Sequence, residues 1–187
     1  MTTRVTFVEG NIAKQVVDAI VNAANPHLRP GSGVSGAIHR AIGPELWTEC
    51  QKLGHCETGQ AVVTRGHTLS VRFVIHTVAP VYSHHAGQEA ELLAHCYRSC
   101  LILAAERQVR SIAFPSLGTG TYGYPAAEAT TIAIATVVEW IKQYPDQFSE
   151  IRFVAFTPKQ LAEYQLAWHQ NVPNGSYESD NKNDATF

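Results

Sequence analysis

The sequence has few charged residues and no cluster of one sign. Asp, Glu, Lys and Arg make up 16% of the 187 residues, the formal net charge is -2, and no long run of Lys or Arg occurs. A protein that binds DNA or RNA through its phosphates usually presents a basic surface. The composition therefore argues against nucleic acid as a partner.

Long apolar segments are also missing. The first residues, MTTRVTFVEG, contain neither a basic region followed by an apolar one nor a small-residue cleavage site, and no apolar run approaches the length of a membrane span. A chain of this length suffices for one domain with a full core. We expect a cytoplasmic monomer with no membrane partner, whose single domain spans residues 1–170.

Paired C-x-x-C spacing is absent. Cys96 and Cys100 lie one helical turn apart beside His95, but no fourth ligand is evident, and Cys50 and Cys56 stand elsewhere in the chain. Unpaired cysteine is among the residue types most often buried. We expect no metal, no cofactor and no disulfide framework.

Segments typical of β-strands alternate with segments of helical spacing. The predicted strands are RVTFVEG, VDAIVNA, QAVVTRG, RFVIHTVA, RSIAFPS and EIRFVAF, several of them apolar on both faces. The predicted helices are SGAIHRAIG, PELWTECQKL, EAELLAHCYRSCLILAAERQ, PAAEATTIAIATVVEWIKQY and PKQLAEYQLAWHQ. This alternation predicts an α/β domain with helices on both faces of a mixed sheet. Residues 171–187 are polar, and we predict a disordered tail there.

Two short loops share the spacing G-x-G-x-x-G: GSGVSG at 31–36 and GTGTYG at 118–123. A dinucleotide-binding fingerprint directly follows a strand and is followed, about 20 residues later, by an Asp or Glu that holds the ribose. Neither loop meets both conditions, and neither contains the Lys of a phosphate-binding P-loop. A nicotinamide-dependent oxidoreductase is therefore disfavoured.

The two loops nevertheless share a context. Each follows a predicted buried strand and precedes a predicted helix, so its main-chain N–H groups could face an anion, and glycine removes the Cβ that would block the approach. Together the loops could hold one diphosphate from opposite sides. The alternative is that each glycine set is only a turn.

The segments GNIAKQVVDAIVNAANPHLRPGSGVSGAIHRAIGPEL, ETGQAVVTRG, VIHTVAPVY and IAFPSLGTGTYGYP resemble the macrodomain family, in particular its MacroD-type ADP-ribosyl hydrolases and O-acetyl-ADP-ribose deacetylases. The resemblance extends from Val5 to His169. It implies a three-layer α/β/α sandwich around a mixed, six-stranded sheet, with ADP-ribose as the ligand.

The resemblance also implies roles for individual residues. Asn25 faces the distal ribose, although it could instead be a turn residue before Pro26. Asn11 and Ile12 contact the adenine, and Phe156 stacks on it, unless Phe156 is an ordinary core residue. The first phosphate loop comprises Gly31, Gly33, Val34 and Ser35, and the second comprises Gly118, Thr119, Gly120, Thr121 and Tyr122, with the Tyr122 ring against the distal ribose.

Two positions depart from the family pattern. Asn11 stands where most members have an Asp that accepts a bond from adenine, and an amide oxygen accepts it less strongly. Ser35 stands where the hydrolytic motif has the Asp assigned to the attacking water, and a serine hydroxyl cannot act as general base near neutral pH. His39, one helical turn further on, could replace that base, but a helix histidine beside a loop is usually structural. Asn22 is expected to be structural, bonding the backbone.

The resemblance leaves two functions open. The first is an enzyme that removes ADP-ribose from acidic side chains or deacetylates O-acetyl-ADP-ribose by metal-free, substrate-assisted attack of water, with Asn25, Ser35 and Tyr122 as the catalytic candidates. The second is a reader that binds ADP-ribose or an ADP-ribosylated protein without hydrolysis. The missing Asp favours the reader, and the otherwise intact set around the distal ribose favours hydrolysis.

Overall fold

The computed structural model describes residues 3–172, which form six β-strands and five α-helices. The strands are β1 (Arg4–Glu9), β2 (Ala19–Ala23), β3 (Ala61–Arg65), β4 (Phe73–Thr77), β5 (Ser111–Pro115) and β6 (Glu150–Ala155). The helices are α1 (Gly33–Ile42), α2 (Pro44–Leu53), α3 (Glu89–Glu106), α4 (Ala126–Gln143) and α5 (Pro158–Asn171). All six predicted strands and all five predicted helices are present. A short 3-10 helix, Ile12–Lys14, was not predicted.

The six strands form one mixed sheet in the order β1-β6-β5-β2-β4-β3. Five strands are parallel, and β3 runs antiparallel to β4. The carboxyl ends of the parallel strands therefore meet at one edge of the sheet, and the segments that follow those strands emerge together there. The predicted tail, 171–187, lies outside the described residues except for Asn171, which ends α5, and Val172.

Helices cover both faces of the sheet. Helices α1 and α2 pack on one face, while α3, α4 and α5 pack on the other. Central strand β2 shows why the sheet is apolar on both sides, since Ile20 faces the first layer, Val21 faces the second, and both are fully buried. The predicted three-layer α/β/α sandwich is confirmed.

The course of the chain leaves a crevice between β2 and β5. These two strands are neighbours, but the chain continues from β2 into α1 on one face and from β5 into α4 on the opposite face. The two connecting loops therefore separate above the carboxyl edge of the sheet. Ligands of open α/β sheets bind in such crevices.

Helix termini follow the local sequence signals. Pro44 and Pro158 occupy the first turn of α2 and α5, where a missing N–H costs nothing. Thr157 caps α5, because its Oγ1 accepts a hydrogen bond of 3.2 Å from the N–H of Gln160. The four cysteines, Cys50, Cys56, Cys96 and Cys100, are unpaired and buried in the core.

Candidate functional site

A cleft of about 120 Å³ opens at the crevice between β2 and β5. Both glycine loops contribute to its wall, so the predicted convergence of the loops on one cavity is confirmed. Drug-sized ligands usually occupy pockets of about 300 Å³ or more. The cleft therefore suits the central part of an extended ligand whose two ends lie on more open surface. It is lined by Ala23, Ala24, Ser32, Gly33, Val34, Ala79, Ser116, Gly118, Gly120, Thr121 and Tyr122.

The first glycine loop ends at the N-terminus of α1. Gly33 has a φ of 54°, a left-handed conformation that favours glycine, and no atom lies within 4 Å of the place where a Cβ would stand. Ser32 precedes the helix without a side-chain capping bond. Among the described residues, the N–H groups of Gly33, Val34 and Ser35 donate no main-chain hydrogen bond. These N–H groups, together with the positive end of the helix, suit an anion.

Gly36 fixes the path of this loop, a role that the sequence reading missed. A Cβ at Gly36 would lie 2.5 Å from the carbonyl oxygen of Gly31, which is far inside contact distance. Only glycine allows the loop to fold back onto the first turn of α1. The third glycine of the G-x-G-x-x-G spacing was the available signal, because that glycine serves close packing of loop and helix in nucleotide-binding folds.

The second glycine loop is closed by its own main chain. The N–H of Gly123 donates to the carbonyl of Gly120, and the N–H of Tyr124 donates to that of Gly118, both at 3.0 Å. Within residues 3–172, the intervening N–H groups of Thr119, Gly120, Thr121 and Tyr122 have no hydrogen-bond partner. A row of unpaired main-chain N–H groups is a binding site for phosphate oxygens. Thr119 itself does not line the cleft, since its hydroxyl donates to the Ser116 carbonyl at 3.1 Å.

Asn25 is half-buried beside the first loop. Its Nδ2 donates to the carbonyl of Arg29 at 2.8 Å, and its Oδ1 accepts from the N–H of Arg29 at 3.0 Å. The side chain thus stabilises the turn of residues 25–29, which agrees with the alternative that Asn25 is a turn residue. One N–H of its amide and one lone pair of its oxygen remain available for a ligand. Asn25 Nδ2 and Ser35 Oγ stand 3.9 and 3.8 Å from the position of a Cβ on Gly31, so the two predicted residues lie near one another.

The side chains of Ser35 and His39, both in α1, do not line the cleft. Both are buried, and among the described residues the Ser35 hydroxyl and both ring nitrogens of His39 lack a hydrogen-bond partner. Burial lowers the pKa of His39. The imidazole is therefore held neutral, the form that a base requires, but it does not reach the cleft in this structure.

Asn22 is structural, as predicted, but it bonds a side chain instead of the backbone. Its Nδ2 donates to Nδ1 of His76 at 3.0 Å, and Nε2 of His76 lies 2.8 Å from Oγ1 of Thr64. Burial, and to a lesser extent nearby His39, lowers the pKa of His76 to about 3. A neutral ring whose Nδ1 accepts from Asn22 carries its proton on Nε2. These three residues form the polar ladder, which crosses β2, β4 and β3.

Tyr122 stands at the mouth of the cleft with its side chain half-buried. Burial raises the pKa of its hydroxyl above the usual value, so the phenol is neutral at physiological pH. Its carbonyl accepts a hydrogen bond of 2.9 Å from the N–H of Tyr82, a residue that the sequence reading did not single out. The site therefore includes a contact from the segment after β4.

The residues predicted for adenine emerge from neighbouring strands at one side of the cleft. Asn11 and Ile12 follow β1, and Phe156 follows β6; none of them lines the cleft itself. Asn11 Oδ1 accepts the N–H of Ala13 at 2.9 Å, which leaves one lone pair for another donor. Phe156 is 82% exposed, so the alternative that it is a core residue is wrong.

Several small residues of the wall were missed by the sequence reading. Ala23 is the last residue of β2 and Ala24 follows it, while Ser116 and Ala79 follow β5 and β4. Their small side chains let a ligand approach the strand ends. Their position directly after predicted parallel strands was the signal that could have identified them.

Residues 3–172 contain neither a membrane-spanning helix nor a cluster of metal-ligating side chains. No helix there combines the length and apolarity needed to cross a membrane. No group of three or more His, Cys, Asp or Glu side chains in this part of the chain is arranged to hold a metal ion.

The fold and the cleft define the class of protein, which is a three-layer α/β domain with two glycine loops that line one crevice. Comparison with known proteins gives the family. The Macro domain model matches residues 21–133, and the O-acetyl-ADP-ribose deacetylase of Salmonella gallinarum is 52% identical over 170 residues, 88% of this chain and 93% of the relative. The chain belongs to the macrodomain family.

Two further proteins are similar over most of the chain. The ADP-ribose glycohydrolase MACROD2 of Xenopus laevis is 44% identical over 171 residues, which is 91% of this chain and 41% of that protein. The structure of a variant Oceanobacillus iheyensis macrodomain with ADPR superposes with a TM-score of 0.86 at 39% identity and covers 89% of this chain and 92% of that one. The predicted resemblance to the MacroD-type and deacetylase branch is confirmed at this level.

Proposed function

We propose that this macrodomain binds ADP-ribose with the diphosphate in the cleft between the two glycine loops. The observation that carries the proposal is the pair of unpaired N–H rows, Gly33 to Ser35 and Thr119 to Tyr122, on loops that line one cavity. Oriented N–H groups bind an anion without basic side chains, which fits a chain of net charge -2. The similarity to a macrodomain solved with ADPR supports the same ligand.

The strand order sets the direction of the ligand. Asn11, Ile12 and Phe156 follow β1 and β6, on one side of the cleft, whereas Asn25 follows β2. The adenine would contact the exposed Phe156 ring, and the distal ribose would lie towards Asn25 and Tyr122. The diphosphate would then fill the narrow centre between the two ends.

The proposed reaction is hydrolysis of an ester on the distal ribose. Water cleaves the bond between the ribose and an acyl group, either the acetyl of O-acetyl-ADP-ribose or an acidic side chain of a protein, and gives ADP-ribose and the free acid. The similar deacetylase and glycohydrolase support this reaction class. Asn25 would orient the sugar, Tyr122 would pack against it, and a ligand phosphate would orient the water, because positioning alone lowers a barrier considerably.

A reader function is the second candidate, and the position of Ser35 favours it. The hydroxyl is buried, is not in the wall of the cleft and has no accessible pKa for proton abstraction near neutrality. We propose that Ser35 takes the place of the family's acidic residue. Binding would then persist while turnover is slow.

Two measurements test the proposal in sequence. Titration calorimetry should show ADP-ribose binding that is much tighter than AMP binding, and no heat at millimolar ligand would remove both functions. Release of ADP-ribose from a mono-ADP-ribosylated protein should then be measured for the wild type, Ser35→Asp and Asn25→Ala. Turnover by the wild type that Asn25→Ala lowers at least tenfold supports the enzyme. Turnover only after Ser35→Asp supports the reader.

A further inference from the structure

The loop between β4 and α3, residues 78–88, borders the cleft at the side away from β6. Its residue Ala79 belongs to the wall of the cleft. Strand β4 pairs with β2, whose following loop carries Asn25. The β4–α3 loop therefore lies on the side of the proposed distal-ribose end of the ligand and away from Phe156.

Tyr82 connects this loop to the second glycine loop at two points. Its N–H donates to the carbonyl of Tyr122 at 2.9 Å. Its ring packs edge to face against the buried ring of Tyr124, with the ring centroids 4.9 Å apart and the planes at 61°. Tyr124 in turn donates its N–H to the Gly118 carbonyl at 3.0 Å, at the base of the glycine loop.

A third contact ties Tyr82 to helix α4. Its hydroxyl donates to Oε2 of Glu128 at 3.2 Å, in the first turn of that helix. Glu128 is exposed, so this bond competes with water and contributes less than the ring contact. Of the two side-chain contacts, the ring contact therefore contributes more to the link between the loops, beside the main-chain bond to Tyr122.

The remainder of the loop has a defined shape. Ser83 and Ala86 have φ values of 62° and 53°, which few residues other than glycine adopt. The buried Glu89 accepts the N–H of His85 at 2.8 Å, and this bond fixes the end of the loop at α3. Such a loop is a firm support for a neighbouring residue.

We propose that Tyr82 is a positioning residue, which sets the position of Tyr122 and thereby the affinity for the distal ribose. The inference rests on the proposed binding of ADP-ribose, because Tyr122 is assigned to that sugar. The N–H row of the glycine loop is held separately, by the Gly123 to Gly120 bond and by the Thr119 hydroxyl. Loss of the Tyr82 ring should therefore weaken contacts to the ribose and spare those to the diphosphate.

The test compares ADP-ribose with ADP, which lacks the distal ribose, by calorimetry. Tyr82→Ala should raise the Kd for ADP-ribose about five- to tenfold, the value of one aromatic pair, and change the Kd for ADP less than about twofold. Tyr82→Phe keeps the ring and should restore both affinities. Tyr82→Leu, which retains apolar contact, replaces the alanine variant if that protein does not fold.

A matched control is Tyr144→Ala, which removes a tyrosine ring that packs on Trp140 at the other end of α4. It should leave both affinities unchanged. The proposal is overturned if the Tyr82 variants weaken ADP and ADP-ribose by the same factor, or weaken neither. If the wild type binds ADP but not ADP-ribose, the proposed function fails first, and the role of Tyr82 fails with it.

Discussion

Individual glycines in the cleft have different physical roles. Gly33 and Gly118 adopt left-handed backbone conformations, with φ values of 54° and 79°, so other residues there would be strained. Gly120 has no such requirement, and a Cβ built on it meets no atom within 4 Å. The fold therefore leaves space for a Cβ at Gly120, and under the proposed function that space is occupied by the ligand.

This difference yields a prediction for Gly120→Val. The Cβ of the added side chain meets no atom within 4 Å in the folded protein, and the side chain occupies the space above the N–H groups of the second loop. We expect the Kd for ADP-ribose to rise at least about tenfold, because a phosphate oxygen can no longer reach those groups, while the melting temperature stays the same. Calorimetry and thermal unfolding measure the two effects.

The matched control is Ala90→Val, which adds similar bulk at an exposed position in the first turn of α3. It should leave the Kd as in the wild type. An unchanged affinity for ADP-ribose in Gly120→Val would show that the second loop does not contact the diphosphate.

Three strands of the sheet are connected by the polar ladder of Asn22, His76 and Thr64. The ring of His76 is fully buried between two hydrogen-bond partners, and its pKa is about 3. In the unfolded chain a histidine has a pKa of about 6.5. Below that pH, the unfolded chain binds a proton that the folded chain does not, so the free energy of unfolding falls as the solution becomes more acid.

The size of this effect follows from the thermodynamic linkage between proton binding and unfolding. Well between the two pKa values each pH unit costs about 1.4 kcal/mol, and at pH 6.5 the unfolded histidine is already half protonated, so His76 alone should lower the free energy of unfolding by about 1.6 kcal/mol between pH 6.5 and pH 5. In His76→Gln this contribution is absent, and the pH dependence should decrease by that amount. Urea unfolding at the two pH values measures it.

The relevant quantity is the difference between the two pH values, because the substitution also changes stability at neutral pH. His84→Gln, which replaces an exposed histidine of the β4–α3 loop, is the control. An identical decrease in wild type and His76→Gln would mean that the ladder histidine is already protonated in the folded protein, or that acid unfolding is governed by other groups.

The secondary structure elements could be predicted from local patterns. Short apolar segments predict the six strands, and the helical spacing of apolar residues predicts the five α-helices. Pro44 and Pro158 mark the starts of two of these helices. The 3-10 helix after β1 was missed because it depends on Asn11 capping the N–H of Ala13, a contact of only three residues that leaves no periodic signal.

At the scale of the whole molecule, the strand order determines which segments meet at the cleft. Segments at the ends of β2, β4 and β5 form its wall, and the residues after β1 and β6 lie at one side of it. Pairings between strands far apart in sequence are not encoded locally, so the order itself could not be read from the chain. The resemblance to the macrodomain family predicted the three-layer sandwich, and with it the position of the two glycine loops at one edge of the sheet.

Because strand pairing and helix orientation are not encoded locally, some features of the site could not be predicted from the sequence. The contribution of Ala79 and Tyr82 depends on β4 lying beside β2, and the burial of Ser35 and His39 depends on how α1 is rotated against the sheet. A motif specifies residue types and spacing, but not which side of a helix faces the cavity. For Phe156 the resemblance predicted an adenine contact and the strand-end position allowed a core residue, and the structure excludes only the core residue because the side chain is exposed.

The central claim is that both glycine loops bind one diphosphate through their main-chain N–H groups. A crystal structure of the protein with ADP-ribose tests it most directly. We predict phosphate oxygens within hydrogen-bond distance of N–H groups in both 33–35 and 119–122, with adenine at Phe156 and the distal ribose at Asn25. A diphosphate bound by one loop alone, or a ligand in a different cavity, would contradict the account.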